Sequence, residues 1–130
     1  MRVSDIMSEA VESLPANAPI DEARDLMRRE EIGHVVVLVG DAFAGVVCRK
    51  DLDRPKAGGK VADVIARPAV TATPHTTIRE AANLMRGNKV DCLPVLDERS
   101  RVVGMVTAAD LLDLIGKGID RPVQDSGRRR

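Results

Sequence analysis

Ile20-Asp-Glu-Ala-Arg-Asp-Leu-Met-Arg28 returns 58 positions later as Ile78-Arg-Glu-Ala-Ala-Asn-Leu-Met-Arg86. In the first copy Ile20, Ala23 and Met27, with Leu26 beside them, follow helical spacing, and in the second Ile78, Ala81, Ala82 and Met85 do the same. Each stretch is therefore read as an amphipathic helix. Upstream, Val3-Ser-Asp-Ile-Met7 returns as Val61-Ala-Asp-Val-Ile65, and downstream Val37-Leu38 returns as Val95-Leu96, all at the same spacing of 58. One extra residue in the polar stretch Asp97-Glu-Arg-Ser-Arg101 lengthens the spacing to 59, after which Gly45-Val-Val-Cys-Arg-Lys-Asp-Leu52 matches Gly104-Met-Val-Thr-Ala-Ala-Asp-Leu111. A single insertion is what a hairpin loop tolerates, so the two halves share one fold.

Around the helices the hydrophobic period changes. Val35–Val39 and Cys92–Leu96 are short apolar runs, each followed by turn residues and a second run, Phe43–Cys48 and Val102–Thr107. Each pair reads as a β-hairpin. Leu111, Leu112, Leu114 and Ile115 define a closing helix that Gly116 and Gly118 end, while the shorter Leu52 segment stops before Pro55. The expected fold is α+β: two pseudo-symmetric repeats, each a short helical turn, strand, helix, hairpin and second helix, packed sheet to sheet. Residues 1–54 form the first repeat, 55–60 a linker, 61–118 the second repeat, and 119–130 an expected disordered tail ending in three arginines.

A chain of 130 residues that is 44% hydrophobic can bury one sizeable core, whereas each half alone would be marginal. Twenty basic and twenty acidic residues cancel, so no global field steers the chain toward nucleic acid or an anionic membrane. Phe43 is the sole aromatic residue, which removes the stacking platforms of single-strand binders and makes nucleic acid an unexpected partner. No apolar run approaches the roughly 20 residues that span a bilayer, and the expected location is the cytoplasm. There Cys48 and Cys92, far apart in sequence and in no CxxC pattern, are read as reduced, buried thiols.

Gly104-Met-Val-Thr-Ala-Ala-Asp110 sets a hydroxyl at a strand-to-helix junction and a carboxylate one turn on. Helix-start N–H groups with the Thr107 hydroxyl suit a phosphate, and Asp110 suits a ribose diol. Thr-x-x-Asp is equally a capping box, in which Asp110 only satisfies a backbone N–H. Gly45-Val-Val-Cys-Arg-Lys-Asp51 keeps the aspartate without the hydroxyl, which a purely capping account does not anticipate. His34 has no second histidine at ligand spacing, so no metal site is expected, and His34 is read as a satisfied or cleft-lining residue. His75, in a polar turn, reads as solvent-exposed.

Taken together, Val-x-Asp-Ile-Met, Leu-Pro-Val on the middle strand and Gly-h-h-Thr-x-x-Asp at the close, in tandem over Val3 to about Ile115, resemble a pair of cystathionine-β-synthase (CBS) domains, a Bateman module. The resemblance implies two clefts between the sheets, each binding an adenosine-containing regulatory ligand such as AMP, ADP, ATP or S-adenosylmethionine between aliphatic side chains. No cofactor is required, and no catalytic residues are implied. Asp51 and Asp110 take the ribose-binding places and Thr107 the phosphate-binding one, from which Cys48 departs. Each cleft borrows its other wall from the opposite repeat. Asp110 then faces Val11, Gly33, His34 and Val35, and Asp51 faces Val70, Asp91, Cys92 and Leu93.

On that reading Arg49, Lys50 and Lys89 make the Asp51 cleft basic and suited to ADP or ATP. The Asp110 cleft, beside Ala108, Ala109, Glu30 and Glu31, is expected to take AMP, adenosine or cationic S-adenosylmethionine, or to stay empty. The expected function is a stand-alone sensor acting through self-assembly or an unknown downstream protein. The alternative is a ligand-free structural dimerisation module acting through a protein partner. A homodimer is expected in either case, with Leu112, Leu114, Ile115, Met27 and Met85 offering apolar surface. Nucleotide chemistry is not expected, since there is no nucleophile beside a base and no Walker-type loop.

Overall fold

The structure, a computed structural model, describes residues 1–53, 59–65 and 69–117. Most of the expected linker and the whole tail at 119–130 lie outside the described residues, as do Pro55 and Gly118. Within them the order is β1 (Ser13–Pro15), α1 (Ile20–Glu30), β2 (His34–Val39), β3 (Ala42–Cys48), α2 (Ile78–Asn88), β4 (Cys92–Leu96), β5 (Val102–Thr107) and α3 (Ala108–Gly116). Short 3-10 turns occupy Val3–Asp5, Arg49–Asp53 and Val61–Asp63.

Both long helices form where charge and capping favour them. Asp21 and Glu22 sit in the first turn of α1 and Arg28 and Arg29 in its last, each sign complementing the helix dipole. Thr77 caps α2 reciprocally: its hydroxyl accepts from Glu80 N at 3.1 Å and its own N–H donates to Glu80 Oε1 at 2.8 Å. The two helices stop at equivalent residues, Glu31 and Lys89, which take left-handed φ values of 56° and 55°. Their apolar stripes face the core, except that Ala82 is exposed. Met27 is 2% and Met85 5% exposed, so these methionines fill the interior and offer nothing to a dimer face.

The first sheet is β1-β2-β3, with β1 parallel and β3 antiparallel to β2; the second is the hairpin β4-β5. The place of β1 in the second half is reduced to a parallel bridge between Ala72 and Val95, in which Ala72 N donates to Pro94 O at 2.9 Å. The one-residue insertion lies in the turn between β4 and β5, where Ser100 takes a φ of 62°.

The opening turns are exchanged between the halves. Val3, fully buried, belongs to the core of the second repeat, with Ala81, Leu93, Val95 and Val106, and Val3 N donates to Thr76 O at 2.8 Å. Val61, Val64 and Ile65 lie in the core of the first repeat, and Val61 N donates to Ala18 O at 2.9 Å. The aspartate of each Val-x-Asp motif closes its own turn, with Arg2 N donating to Asp5 and Lys60 N to Asp63, at 2.8 and 2.9 Å. The hairpins meet along a third cluster, in which Val36 and Val46 pack with Cys92 and Met105. Sheet-to-sheet packing and exchanged turns together make one interior from two marginal halves.

Candidate functional site

Two clefts flank the line where the hairpins meet. The larger, about 430 Å³, is lined by Val11, Glu12, Glu31, Ile32, Gly33, His34 and Asp91 on one side and Met105, Thr107, Ala108, Ala109 and Asp110 on the other, with Ser8 and Ala10 at its edge. The smaller, about 70 Å³, is lined by Val46, Cys48, Lys50, Asp51, Ala69, Val70, Val90, Asp91, Cys92 and Pro94. Small-molecule sites occupy roughly 300–1,000 Å³. Only the Asp110 cleft falls in that range as it stands.

Each cleft has an aspartate at the start of the closing helical segment, held in the same way. Asp110 Oδ2 accepts from Thr107 N at 2.8 Å while the Thr107 hydroxyl accepts from Asp110 N at 3.2 Å. Asp51 Oδ2 accepts from Cys48 N at 2.9 Å. The retained aspartate thus satisfies the last strand N–H whether or not a hydroxyl stands opposite, which removes the difficulty that Asp51 posed for a capping role. Asp51 is 3% exposed, whereas Asp110 is half-buried at the cleft wall.

Most of the expected lining residues come together, and four do not. Arg49 turns away from the Asp51 cleft: its guanidinium donates to Ile32 O at 2.8 Å and lies over a different surface with Arg24 and Arg28. Arg49–Asp53 is a 3-10 turn of about three residues per turn, which puts Lys50 and Asp51 on the cleft side and Arg49 with Leu52 on the other. Lys89, exposed at the end of α2, does not line it either, and Val90 takes the place assigned to it. Val35 and Leu93 are fully buried in the two repeat cores, because alternate residues of a strand point to opposite faces. Glu12, Ile32 and Met105 were missed. Met105 stands two residues before Thr107 on β5, so strand alternation was the signal for it, whereas Glu12 and Ile32 lie outside the strands.

The shared wall of the clefts carries a compact set of polar groups. His34 Nε2 stands 2.9 Å from Asp91 Oδ1, and this hydrogen bond holds the Asp91 carboxyl below the usual carboxylate range. The Cys48 and Cys92 thiols are both free. Hydrogen bonding from Cys92 lowers the pKa of Cys48, while the same partnership, and then burial, pushes that of Cys92 up. One donor atom from each of His34, Cys48, Asp91 and Cys92 lies within 4.8 Å of the others. No helix among the described residues is long and apolar enough to cross a membrane.

The profile described as CBS domain matches this chain twice, over residues 3–55 and 61–117, the two halves whose turns interlock around these clefts. The chain belongs to the CBS domain family.

Among solved CBS pairs, that of protein MJ0100, in complex with 5′-methylthioadenosine and S-adenosyl-L-methionine, is 25% identical and superposes with a TM-score of 0.83 over 89% of this chain and 100% of that one. The cytosolic domain of the Mg²⁺ channel MgtE in complex with ATP is 26% identical, with a TM-score of 0.76 over 87% of this chain and 48% of that one. An inosine-5′-monophosphate dehydrogenase of Thermoplasma acidophilum is 32% identical over 111 residues, 85% of this chain and 23% of the enzyme. A homoserine O-acetyltransferase of Methanohalobium evestigatum is 34% identical over 116 residues, 87% of this chain and 24% of the enzyme. The CBS chain described here thus spans about a quarter of the length of these curated relatives.

Proposed function

We propose that this CBS pair is a non-catalytic regulatory module that binds an adenosine-containing ligand in the Asp110 cleft, preferring one with a cationic tail. The observation that carries the reading is the lining of that 430 Å³ cleft: Glu12, Glu31, Asp91 and Asp110 contribute four carboxylates against the single imidazole of His34. Asp110 accepts the ribose hydroxyls, and the aliphatic Val11, Ile32 and Met105 hold the adenine face. A polyphosphate brought beside those carboxylates is repelled, while a sulfonium or ammonium group is attracted. The complex of the MJ0100 pair with S-adenosyl-L-methionine supports this choice of ligand class. The Asp51 cleft, reduced to Lys50 as its lining cation and to about 70 Å³, is not assigned a polyphosphate.

Binding works by biasing a conformational or assembly equilibrium, which needs no reacting group. Titration calorimetry with S-adenosylmethionine, AMP and ATP on the wild type and on Asp110→Asn tests it. S-adenosylmethionine should bind tightest and ATP weakest, and Asp110→Asn should weaken all three while leaving the fold intact, because an amide oxygen still accepts from Thr107 N. Absence of heat and of any melting shift with all three ligands overturns the reading.

A second reading, a ligand-free structural module, is favoured by one observation: both aspartates already accept a strand-end N–H. In either reading a second copy of the chain covers α3, where Leu112 and Ile115 are 69% and 59% exposed.

A further inference from the structure

We propose that His34, Cys48, Asp91 and Cys92 form a binding site for a tetrahedral divalent metal ion of borderline softness, Zn²⁺ being the natural occupant. Internal symmetry assembles the set. His34 and Cys92 begin the equivalent strands β2 and β4, and the packing of hairpin on hairpin brings those beginnings together. Cys48 ends β3 directly opposite His34 in the β2–β3 register, and Asp91 precedes Cys92 in the chain.

The donor chemistry is that of zinc: two thiols, one imidazole and one carboxylate, with no excess of hard oxygen ligands that would favour calcium or magnesium. Zn–S and Zn–N bonds of about 2.3 and 2.0 Å put tetrahedral donors about 3.3–3.8 Å apart. The four atoms already lie within 4.8 Å of one another, so side-chain adjustments of about 1 Å close the shell. Cys92 is 5% exposed, and the His34 and Asp91 side chains are 17% and 67% exposed, which leaves an approach for the ion on the Asp91 side. Lys50, beside Cys48 and Asp91, tempers the negative charge of two thiolates and a carboxylate. On binding, each thiol that ligates gives its proton to solvent as its sulfur forms the metal bond. Cys48, the residue that departs from the family's hydroxyl pattern, is the residue that completes the set.

The site shares His34 and Asp91 with the Asp110 cleft and Cys48, Asp91 and Cys92 with the Asp51 cleft, but its test uses no nucleotide and so does not depend on the adenosine reading. Full-length protein, reduced and freed of metal by chelation, is titrated with Co²⁺ under argon. One equivalent should develop a near-ultraviolet thiolate-to-metal charge-transfer band with the intense visible bands of a tetrahedral ion, and Zn²⁺ should displace it. Cys48→Ser should remove about half of the charge-transfer intensity, and His34→Gln should keep that intensity; each should weaken the ion by at least tenfold, roughly the effect of losing even an outer-shell partner. Cys92 is buried, so these two partly exposed positions carry the test if Cys92→Ser does not fold. The proposal is overturned if no charge-transfer band appears, if Cys48→Ser and His34→Gln bind Co²⁺ as tightly as the wild type, or if the thiols are isolated as a disulfide whose reduction restores no metal binding.

Discussion

Met7 lies against Gly104, and a Cβ added to that glycine would stand 2.5 Å from the Met7 sulfur and 3.1 Å from the Ser8 carbonyl oxygen. The contact is where the opening turn of the first repeat crosses onto β5 of the second, through the paired hydrogen bonds Ser8 N to Met105 O and Met105 N to Ser8 O, both 2.9 Å. Gly45 repeats the arrangement beneath Ile65, at 3.0 Å from Cδ1. The glycine that heads each closing motif is thus a packing requirement of the exchanged turns.

Gly104→Ala is expected to destabilise by about 1–3 kcal/mol, the usual cost of overpacking, because the backbone oxygen of Ser8 cannot yield as a side chain can. Gly45→Ala meets side-chain atoms alone, Ile65 Cδ1 at 3.0 Å and Cβ at 3.3 Å, and should cost less than Gly104→Ala. Urea midpoints at constant m-value measure both. Adding Met7→Ala to Gly104→Ala should recover part of the loss, and strict additivity in that cycle would contradict the contact.

The fold was legible because the helix and strand periods are clean and occur twice. The four strand runs read from Val35, Phe43, Cys92 and Val102 are β2 to β5, the first two to within a residue and the last two at the same bounds. The exchange of opening turns was not legible, since the apolar Val3 and Val61 announce burial without saying in which core. Arg49 was misplaced for a related reason: a sequence shows that two cations are adjacent but not that a tight turn sends them to opposite sides. The His34, Cys48, Asp91 and Cys92 set escaped because metal spacing rules count along the chain, while these donors meet across a hairpin register and an internal symmetry axis.

The Thr77–Glu80 capping box should appear in the acid limb of stability. Donation from Thr77 N holds the Glu80 carboxyl below its usual range. A carboxylate with a depressed folded pKa contributes stability that is present above the unfolded value, about 4.3, and is lost as pH falls through the folded value. Glu80→Gln should therefore lower stability at neutral pH and flatten the decline below about pH 4. Thr77→Ala should cost about 1 kcal/mol, as lost N-caps do. Chemical denaturation across the acid range checks both, and parallel pH profiles for wild type and Glu80→Gln would count against the box.

Asp51 and Asp110 should separate structure from binding. Asp51→Ala leaves the Cys48 N–H without its acceptor beneath a side chain only 3% exposed and should cost about 1–3 kcal/mol. Asp110→Asn should be nearly neutral for folding and should remove most of the ligand-induced stabilisation. For a ligand at 100 times its dissociation constant that stabilisation is about 2.7 kcal/mol, a melting shift on the order of 5–15 °C. Equal loss of ligand response in Asp51→Asn and Asp110→Asn would remove the preference for the larger cleft.

Leu112 and Ile115 stand three residues apart on α3, so both project from one helix face, and at 69% and 59% exposure they are its largest apolar groups facing solvent. Met27 and Met85 being core, the expected dimer face narrows to this strip, with half-buried Leu114 at its margin. A two-fold axis through it sets each residue against its own copy or its neighbour's, so a charge placed there meets a like charge across the axis. Leu112→Glu/Ile115→Glu should convert a dimer to a monomer in light scattering at micromolar concentration. Exposed substitutions cost a folded chain no more than about 0.5 kcal/mol each, so the midpoint for unfolding the monomer should barely move. A wild type that scatters as a monomer, or a double variant that remains dimeric, would place the interface elsewhere or remove it.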